Sequence, residues 1–268
     1  MALVPVSLRK DLYRVMRDGQ RGWLKTYLLA VLGLAAWGEV IPVPRRGLRR
    51  SVVKHRLLFR IRHHTIIDYA RLHRLYDLFE EQLRSVPRGD VVECGVYKGG
   101  SAALLACASL TAGHQGRIWL FDSFRGLPQP GSLDETWRGT WLRAGDLRAS
   151  EVDVRYLLFE RLHLDPSSVQ IVPGWFEQTL PRHVGDIDPL AILHLDCDYY
   201  DSVMTCLRAL YDRVLSNGLV VVDDYHYFKG CRQAVDDFLR ERSIEPILRP
   251  TDRFGVYFEK PGGPKVLR

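Results

Sequence analysis

The apolar positions of this chain change period shortly after residue 65. Ile67, Leu72, Leu75, Tyr76 and Phe79 recur at three- and four-residue spacing, which predicts a helix over Ile66 to Ser85. Beyond it the apolar residues gather into short, nearly unbroken runs at Asp90 to Glu93, Arg117 to Phe121, Val169 to Val172, Leu190 to Leu195 and Leu219 to Val222. Runs of that length and composition read as strands buried on both faces of a parallel sheet. Helical stretches at Gly100 to Leu110, Glu151 to Leu162, Ser202 to Leu215 and Lys229 to Glu241 separate them. The alternation predicts an α/β fold, a doubly wound and mostly parallel sheet. Glu245 to Leu248 and Gly255 to Glu259, around Asp252-Arg253, predict a terminal pair that adds an antiparallel strand.

The first 64 residues have a different texture, so the chain is expected to comprise a basic helical N-terminal arm, 1–64, and an α/β domain, 65–268. Residues 1–62 hold 14 of the 38 Lys and Arg against Asp11, Asp18 and Glu39, a net of +11, which leaves the remainder at −5. The +6 of the whole chain is therefore a property of the arm and does not indicate a nucleic-acid partner. Leu8, Leu12, Val15 and Met16 describe a short amphipathic helix. The apolar run Tyr27 to Trp37 is cut off by Gly38-Glu39 and Pro42-x-Pro44, too short to span a bilayer and unlike a signal peptide. The expectation is a helix packed on the body or on a second copy in a homo-oligomer, with peripheral contact with anionic lipid as the alternative. Five cysteines without Cys-x-x-Cys spacing suit reduced thiols in a cytoplasmic protein and no zinc site.

Two of the strand runs end in acids: Leu193-His194-Leu195 leads to Asp196-Cys197-Asp198, and Val220-Val221-Val222 leads to Asp223-Asp224. The carboxyl ends of parallel strands line the ligand crevice of open α/β sheets. Four acids at one rim must hold protons, find cations or bind a divalent metal through oxygen, and the metal is the reading adopted. If extended geometry persists past the strand end, Asp196 and Asp198 share a face. At the first strand, Glu93-Cys94-Gly95-Val96-Tyr97-Lys98-Gly99-Gly100-Ser101 combines glycines that admit a close ligand with a helix start that offers free N–H groups, or else is a plain tight turn. Asp122, followed by Ser123 at the second strand end, is placed to accept hydrogen bonds from ribose hydroxyls. Trp175, after Gly174, either walls an adenine or is a core residue at a helix start. Asp201 reads as a helix cap, Cys197 as buried filler, and His194 as a neutral packing or hydrogen-bonding group. The stretch Ser132 to Asp146, with Trp137, Arg138, Trp141 and Arg143, is either part of an acceptor-side lid or a plain surface loop.

These segments, together with Leu120-Phe121-Asp122-Ser123-Phe124-Arg125-Gly126-Leu127-Pro128, Pro173-Gly174-Trp175-Phe176-Glu177-Gln178-Thr179-Leu180-Pro181 and Gly230-Cys231-Arg232-Gln233-Ala234, resemble the macrocin/mycinamicin-type sugar O-methyltransferases over roughly residues 65 to 260. The resemblance implies a class I methyltransferase fold, S-adenosylmethionine as methyl donor, a magnesium ion and a small-molecule or glycoside acceptor. It implies Asp196, Asp223 and Asp224 as metal ligands and Asp198 as general base, with His226 the competing base. Glu93, Gly95, Val96, Tyr97, Gly99, Ser101, Asp122, Ser123, Gly174 and Trp175 are the expected cofactor-binding residues. Two other functions stay open at this point: an oxygenase or hydroxylase on a related scaffold, and a non-catalytic assembly module in which the arm acts.

Overall fold

The computed structural model describes residues 45–262, with side chains from Val53 onward. The expected amphipathic helix near Leu8 and the apolar run Tyr27 to Trp37 lie outside the described residues. The chain divides into two compact units between His73 and Arg74. In the first, helix α1 (Arg45–Ile61) is followed by the start of helix α2 (Tyr69–Ser85). Asp68 sets that start, because its Oδ1 accepts from the Arg71 N–H at 3.0 Å and its carbonyl from the Leu72 N–H at 3.1 Å. The helix therefore begins three residues later than its apolar period suggests. Tyr69 hydrogen-bonds His55, and the His55 ring lies 5.9 Å from the Tyr69 ring and 5.4 Å from that of His73. Among the described residues no helix is long and apolar enough to cross a membrane.

The second unit is built on seven strands: β1 (Asp90–Cys94), β2 (Ile118–Asp122), β3 (Val169–Pro173), β4 (Leu190–Leu195), β5 (Val214–Val222), β6 (Arg249–Pro250) and β7 (Val256–Glu259). Their order is β3-β2-β1-β4-β5-β7-β6, with β1 to β5 parallel and β7 antiparallel to both β5 and β6. This is the mostly parallel doubly wound sheet that the alternation predicted. Helices α3 (Gly100–Ala112), α4 (Glu151–Arg155), α5 (Phe176–His183), α6 (Tyr200–Leu210) and α7 (Lys229–Glu241) complete the unit. The pleat sorts the strand residues. On one face Val92, Trp119, Phe121, Leu193, Leu195, Val220, Val222 and Phe258 form a core with Val203, Leu207 and Leu210 of α6 and Val235 and Phe238 of α7. The alternate positions Glu93 and His194, paired in register, belong to the opposite face, where Phe79 of α2 lies 5.5 Å ring to ring from His194.

Several element bounds differ from the sequence reading, each for a local reason. Helix α6 ends at Leu210 and a single turn of 3-10 helix, Tyr211–Arg213, leads straight into β5, so Leu215 is strand and not helix. Asn217 at φ 64° and the close approach of Gly218 to Leu190 allow that early pairing, which overrides local helix propensity. The stretch from Glu151 starts on a Ser150 cap, as α4, but widens into a π-helical turn over Tyr156–Arg161. Helix α5, eight residues long, is too short for an apolar period to announce. Strand β6 falls at Arg249–Pro250, beyond the expected Glu245 to Leu248, because pairing with Val256 and Tyr257 sets it.

Candidate active site

Strand order reverses at β1, between β2 and β4, and the crevice that such a reversal opens faces the carboxyl ends of the strands. The backbone ladder continues one residue past each strand end. Gly95 N–H donates to Phe121 O at 2.9 Å, Asp196 N–H to Cys94 O at 2.8 Å, and Asp223 N–H to Leu195 O at 2.9 Å. Gly95 makes this possible: at φ 92° it occupies the left-handed region, and a Cβ there would lie 1.8 Å from the carbonyl oxygen of Asp196. The glycine turn and the acidic strand end are thus in backbone contact.

The four acids converge, though not by strand alternation. Extended geometry stops at Leu195, and Asp198 sits at φ 62° in a three-residue turn closed by Tyr199 N–H to Cys197 O at 2.7 Å. That turn folds Asp198 back, so that carboxylate oxygens of Asp196, Asp198 and Asp224 all lie within 4.8 Å of one another. A second group, His194, Asp196 and Asp223, meets the same limit, and Asp196 belongs to both. Asp223 therefore groups with His194 and Asp196, while the oxygen-only set contains Asp198. Burial raises the Asp196 carboxyl well above the usual carboxylate range, and the charges of Asp223 and Asp224 add to it. Burial likewise raises Asp198, with Asp224 as charge and hydrogen-bond partner.

Beneath this group lies a buried ionic relay that the sequence reading missed. His194, wholly buried, holds Glu93 Oε1 at 3.1 Å through Nδ1, and its Nε2 is 3.6 Å from Asp223 Oδ1. Burial alone would lower the imidazole pKa, but the carboxylates of Asp223 and Glu93 on either side drive it up to about 10. This favours the imidazolium form, and of the two roles expected for His194 the hydrogen-bonding one is found, with Glu93. Glu93, expected at the cofactor wall, is completely enclosed and bonded to His194. His226 joins neither group of potential ligands; it is exposed, with its ring edge-on to Tyr225 at 4.8 Å. The Glu93–His194 contact joins positions 101 residues apart, so no local pattern could have announced it.

On the glycine side, Gly99 (φ 84°) caps α3 without a side-chain hydrogen bond, and the first turn carries no acid, so its N–H groups are available to an anionic or carbonyl acceptor. Val96 and Ser101 have buried side chains, and Tyr97, at φ 48°, is half-buried. Asp122 Oδ2 accepts from the Val96 and Tyr97 N–H groups at 2.7 and 2.9 Å and Oδ1 from Phe124 N–H at 2.7 Å. It thus ties the β1 turn to β2, with about one of a carboxylate's four lone-pair positions left over. Ser123 Oγ donates to Gly126 O and accepts from Arg125 N–H, shaping the next turn. Gly174 N–H donates to Asp122 O at 2.8 Å, which sets half-buried Trp175 at the start of α5 beside these loops.

The excursion between β2 and α4 reaches back to the acids. Its base is closed by Leu127 N–H to Asp146 O and Gly145 N–H to Leu127 O. From there Asp134, 4% exposed, accepts from Gly131 N–H and from Tyr200 N–H at the start of α6, two residues past Asp198. Thr136 bridges Phe228, Trp137 N–H donates to Tyr227 O at 2.7 Å, Lys229 N–H donates to Glu135 O, and Tyr199 Oη–H donates to Leu142 O. The segment is a strap across both acid-bearing loops. Asp134 was not singled out from sequence, since its partner Tyr200 is 66 positions away.

Comparison with known proteins matches residues 59–260 to the macrocin-O-methyltransferase (TylF) family model. A demethyldecarbamoylnovobiocin O-methyltransferase of Streptomyces niveus is 34% identical over 203 residues, 74% of this chain and 76% of the relative. A mycinamicin III 3''-O-methyltransferase of Micromonospora griseorubida is 33% identical over 204 residues, 74% of this chain and 78% of the relative. The solved structure of the O-methyltransferase NovP aligns with a TM-score of 0.66 at 34% identity, covering 74% of this chain and 83% of that one.

Proposed function

The chain belongs to the macrocin-O-methyltransferase (TylF) family and is an O-methyltransferase with the class I fold, and from that premise we propose that it carries the methyl group of S-adenosylmethionine to a hydroxyl of a sugar, sugar-bearing natural product or glycan, with magnesium bound at the acidic rim. The acceptor class is proposed because the two relatives act, by name, on a novobiocin precursor and on mycinamicin III. The observation that carries the metal-dependent reading is the convergence of Asp196, Asp198, Asp223 and Asp224 in two overlapping groups that share Asp196, at the strand-order reversal and in backbone contact with the glycine turn.

The donor set fits a hard divalent cation: crowded, partly buried carboxylates whose protonation is favoured in the metal-free protein are the ligands such an ion takes. Asp196, Asp223 and Asp224 would hold it, and Asp198 would remain free as base. When bound, the ion supplies a Lewis acid that lowers the acceptor hydroxyl pKa and fixes neighbouring oxygens. Asp198 would accept the hydroxyl proton as the methyl group leaves sulfur for oxygen, and burial favours this role by raising its basicity. The Glu93–His194 pair orients Asp223 from behind, as hydrogen-bonded partners commonly do for metal-binding groups. The first turn of α3, with Gly95, Gly99, Asp122 and the ring of Trp175, forms the proposed cofactor wall. The geometry also favours a second reading, in which Asp198 replaces Asp223 as third ligand. Exposed His226 is then the candidate base.

One experiment separates these. With Asp198→Asn, magnesium affinity by calorimetry should change little while turnover falls at least a hundredfold, and Asp223→Asn should weaken magnesium binding. The opposite pattern would select the second reading, and full activity after exhaustive chelation would remove the metal from the mechanism.

A further inference from the structure

The strap places an aromatic and cationic wall at the acidic rim. Trp137, 48% exposed, lies 6.1 Å ring to ring from Phe254, and Phe254 lies 5.0 Å from Tyr227 in an edge contact. Arg138 stacks on Trp137 at 4.7 Å and Arg253 on Phe254 at 4.2 Å. The wall is pinned to the acid-bearing turn after β5: Tyr227 N–H donates to Asp224 O at 3.0 Å, His226 N–H to Phe254 O at 2.8 Å, and Trp137 N–H to Tyr227 O. The backbone that carries this exposed indole is thus already fixed, which lowers the ordering cost of binding a ligand there.

We infer that this wall is the acceptor-binding surface, and that it takes an acceptor whose non-reacting part joins a planar ring to negatively charged phosphate groups, the chemical class of a nucleoside diphosphate sugar. The inference rests on the proposed methyl transfer and specifies its substrate. Aromatic faces alone would suffice for a neutral sugar ring; the guanidiniums are what point to charge. Among the described residues neither Arg138 nor Arg253 is paired with a carboxylate, whereas Lys229, which follows the same acid-bearing turn, is neutralised by Glu135. A guanidinium stacked on a ring keeps its in-plane N–H donors free, and those donors match phosphate oxygens in pairs. An anionic acceptor must also approach a rim made of carboxylates, and two unpaired cations supply the compensating charge.

The test is calorimetric titration of the full chain, saturated with S-adenosylhomocysteine and magnesium, with uridine, thymidine and guanosine diphosphates. At least one should bind, with affinity that falls as salt rises. The double variant Arg138→Gln/Arg253→Gln should weaken that binding about tenfold or more and flatten its salt dependence, and Trp137→Leu should weaken it with the salt dependence kept. S-adenosylhomocysteine affinity should be unchanged in both variants, which shows that they are folded. If none of the three diphosphates binds protein that does bind S-adenosylhomocysteine, or if the arginine variant binds as the parent does, the charged acceptor is overturned while methyl transfer stands. Failure of the parent to bind S-adenosylhomocysteine would overturn the underlying reading instead.

Discussion

Without metal, the acidic rim confines carboxylates and an imidazolium where water is scarce, and its charge state governs how the protein responds to pH. His194 has a folded pKa of about 10 against 6.5 for the free group, so its contribution to stability is complete below about 6.5 and is lost as pH rises through about 10. Asp196 and Asp198 are also shifted upward, so they too favour the folded state only while protonated, and ionising them works against folding. The signs agree. The thermal midpoint of chelator-treated protein should fall as pH climbs from 6 to 10, and magnesium should flatten the slope by neutralising the carboxylates. At roughly 2–4 °C per kcal/mol for a domain of this size, the change is readily measured. A metal-free midpoint that rises over that interval would contradict the buried imidazolium. At this scale the Asp-x-Asp and Asp-Asp pairs were legible because each follows a nearly unbroken apolar run. What was not legible was how they meet: the left-handed turn at Asp198 and the Glu93 partner of His194 depend on packing between distant positions.

Strands and helices long enough to show a period, or bounded by clear turn residues, were read well. Strand β4 and helix α7 have the predicted bounds, Leu190–Leu195 and Lys229–Glu241. The misplaced elements are those that tertiary pairing defines, namely the early start of β5 and the two-residue β6. Strand β7 shows how such pairing contributes to stability. Its Phe258 is 1% exposed and lies in register with Val220 of β5, inside the core that packs on α6 and α7. Phe258→Ala should therefore cost about 3–5 kcal/mol in denaturant unfolding. An unchanged unfolding midpoint would mean that β7 is not integral to the sheet.

Across the α/β unit, the order β3-β2-β1-β4-β5-β7-β6 puts the glycine turn and the acids on adjacent strands, and this much follows from strand succession alone. The excursion after β2 obeys no such rule, which is why its path over the two acid-bearing loops had to be seen. Its ends meet at Leu127 and Asp146, while its middle carries Trp137 and Arg138 to the rim. The portion proposed to select what is methylated therefore leaves and rejoins the sheet at one place, between two strands, while Asp134, Thr136 and Trp137 tie its middle to the loops beneath. Exchanging residues 128–145 for the matching stretch of a family member should alter acceptor preference while S-adenosylhomocysteine affinity stays within about twofold, a separation that additivity of distant sites predicts. A new acceptor could thus be accommodated by changing the exposed side chains of that excursion, provided Asp134, Thr136 and the Trp137 backbone keep their bonds to the loops beneath.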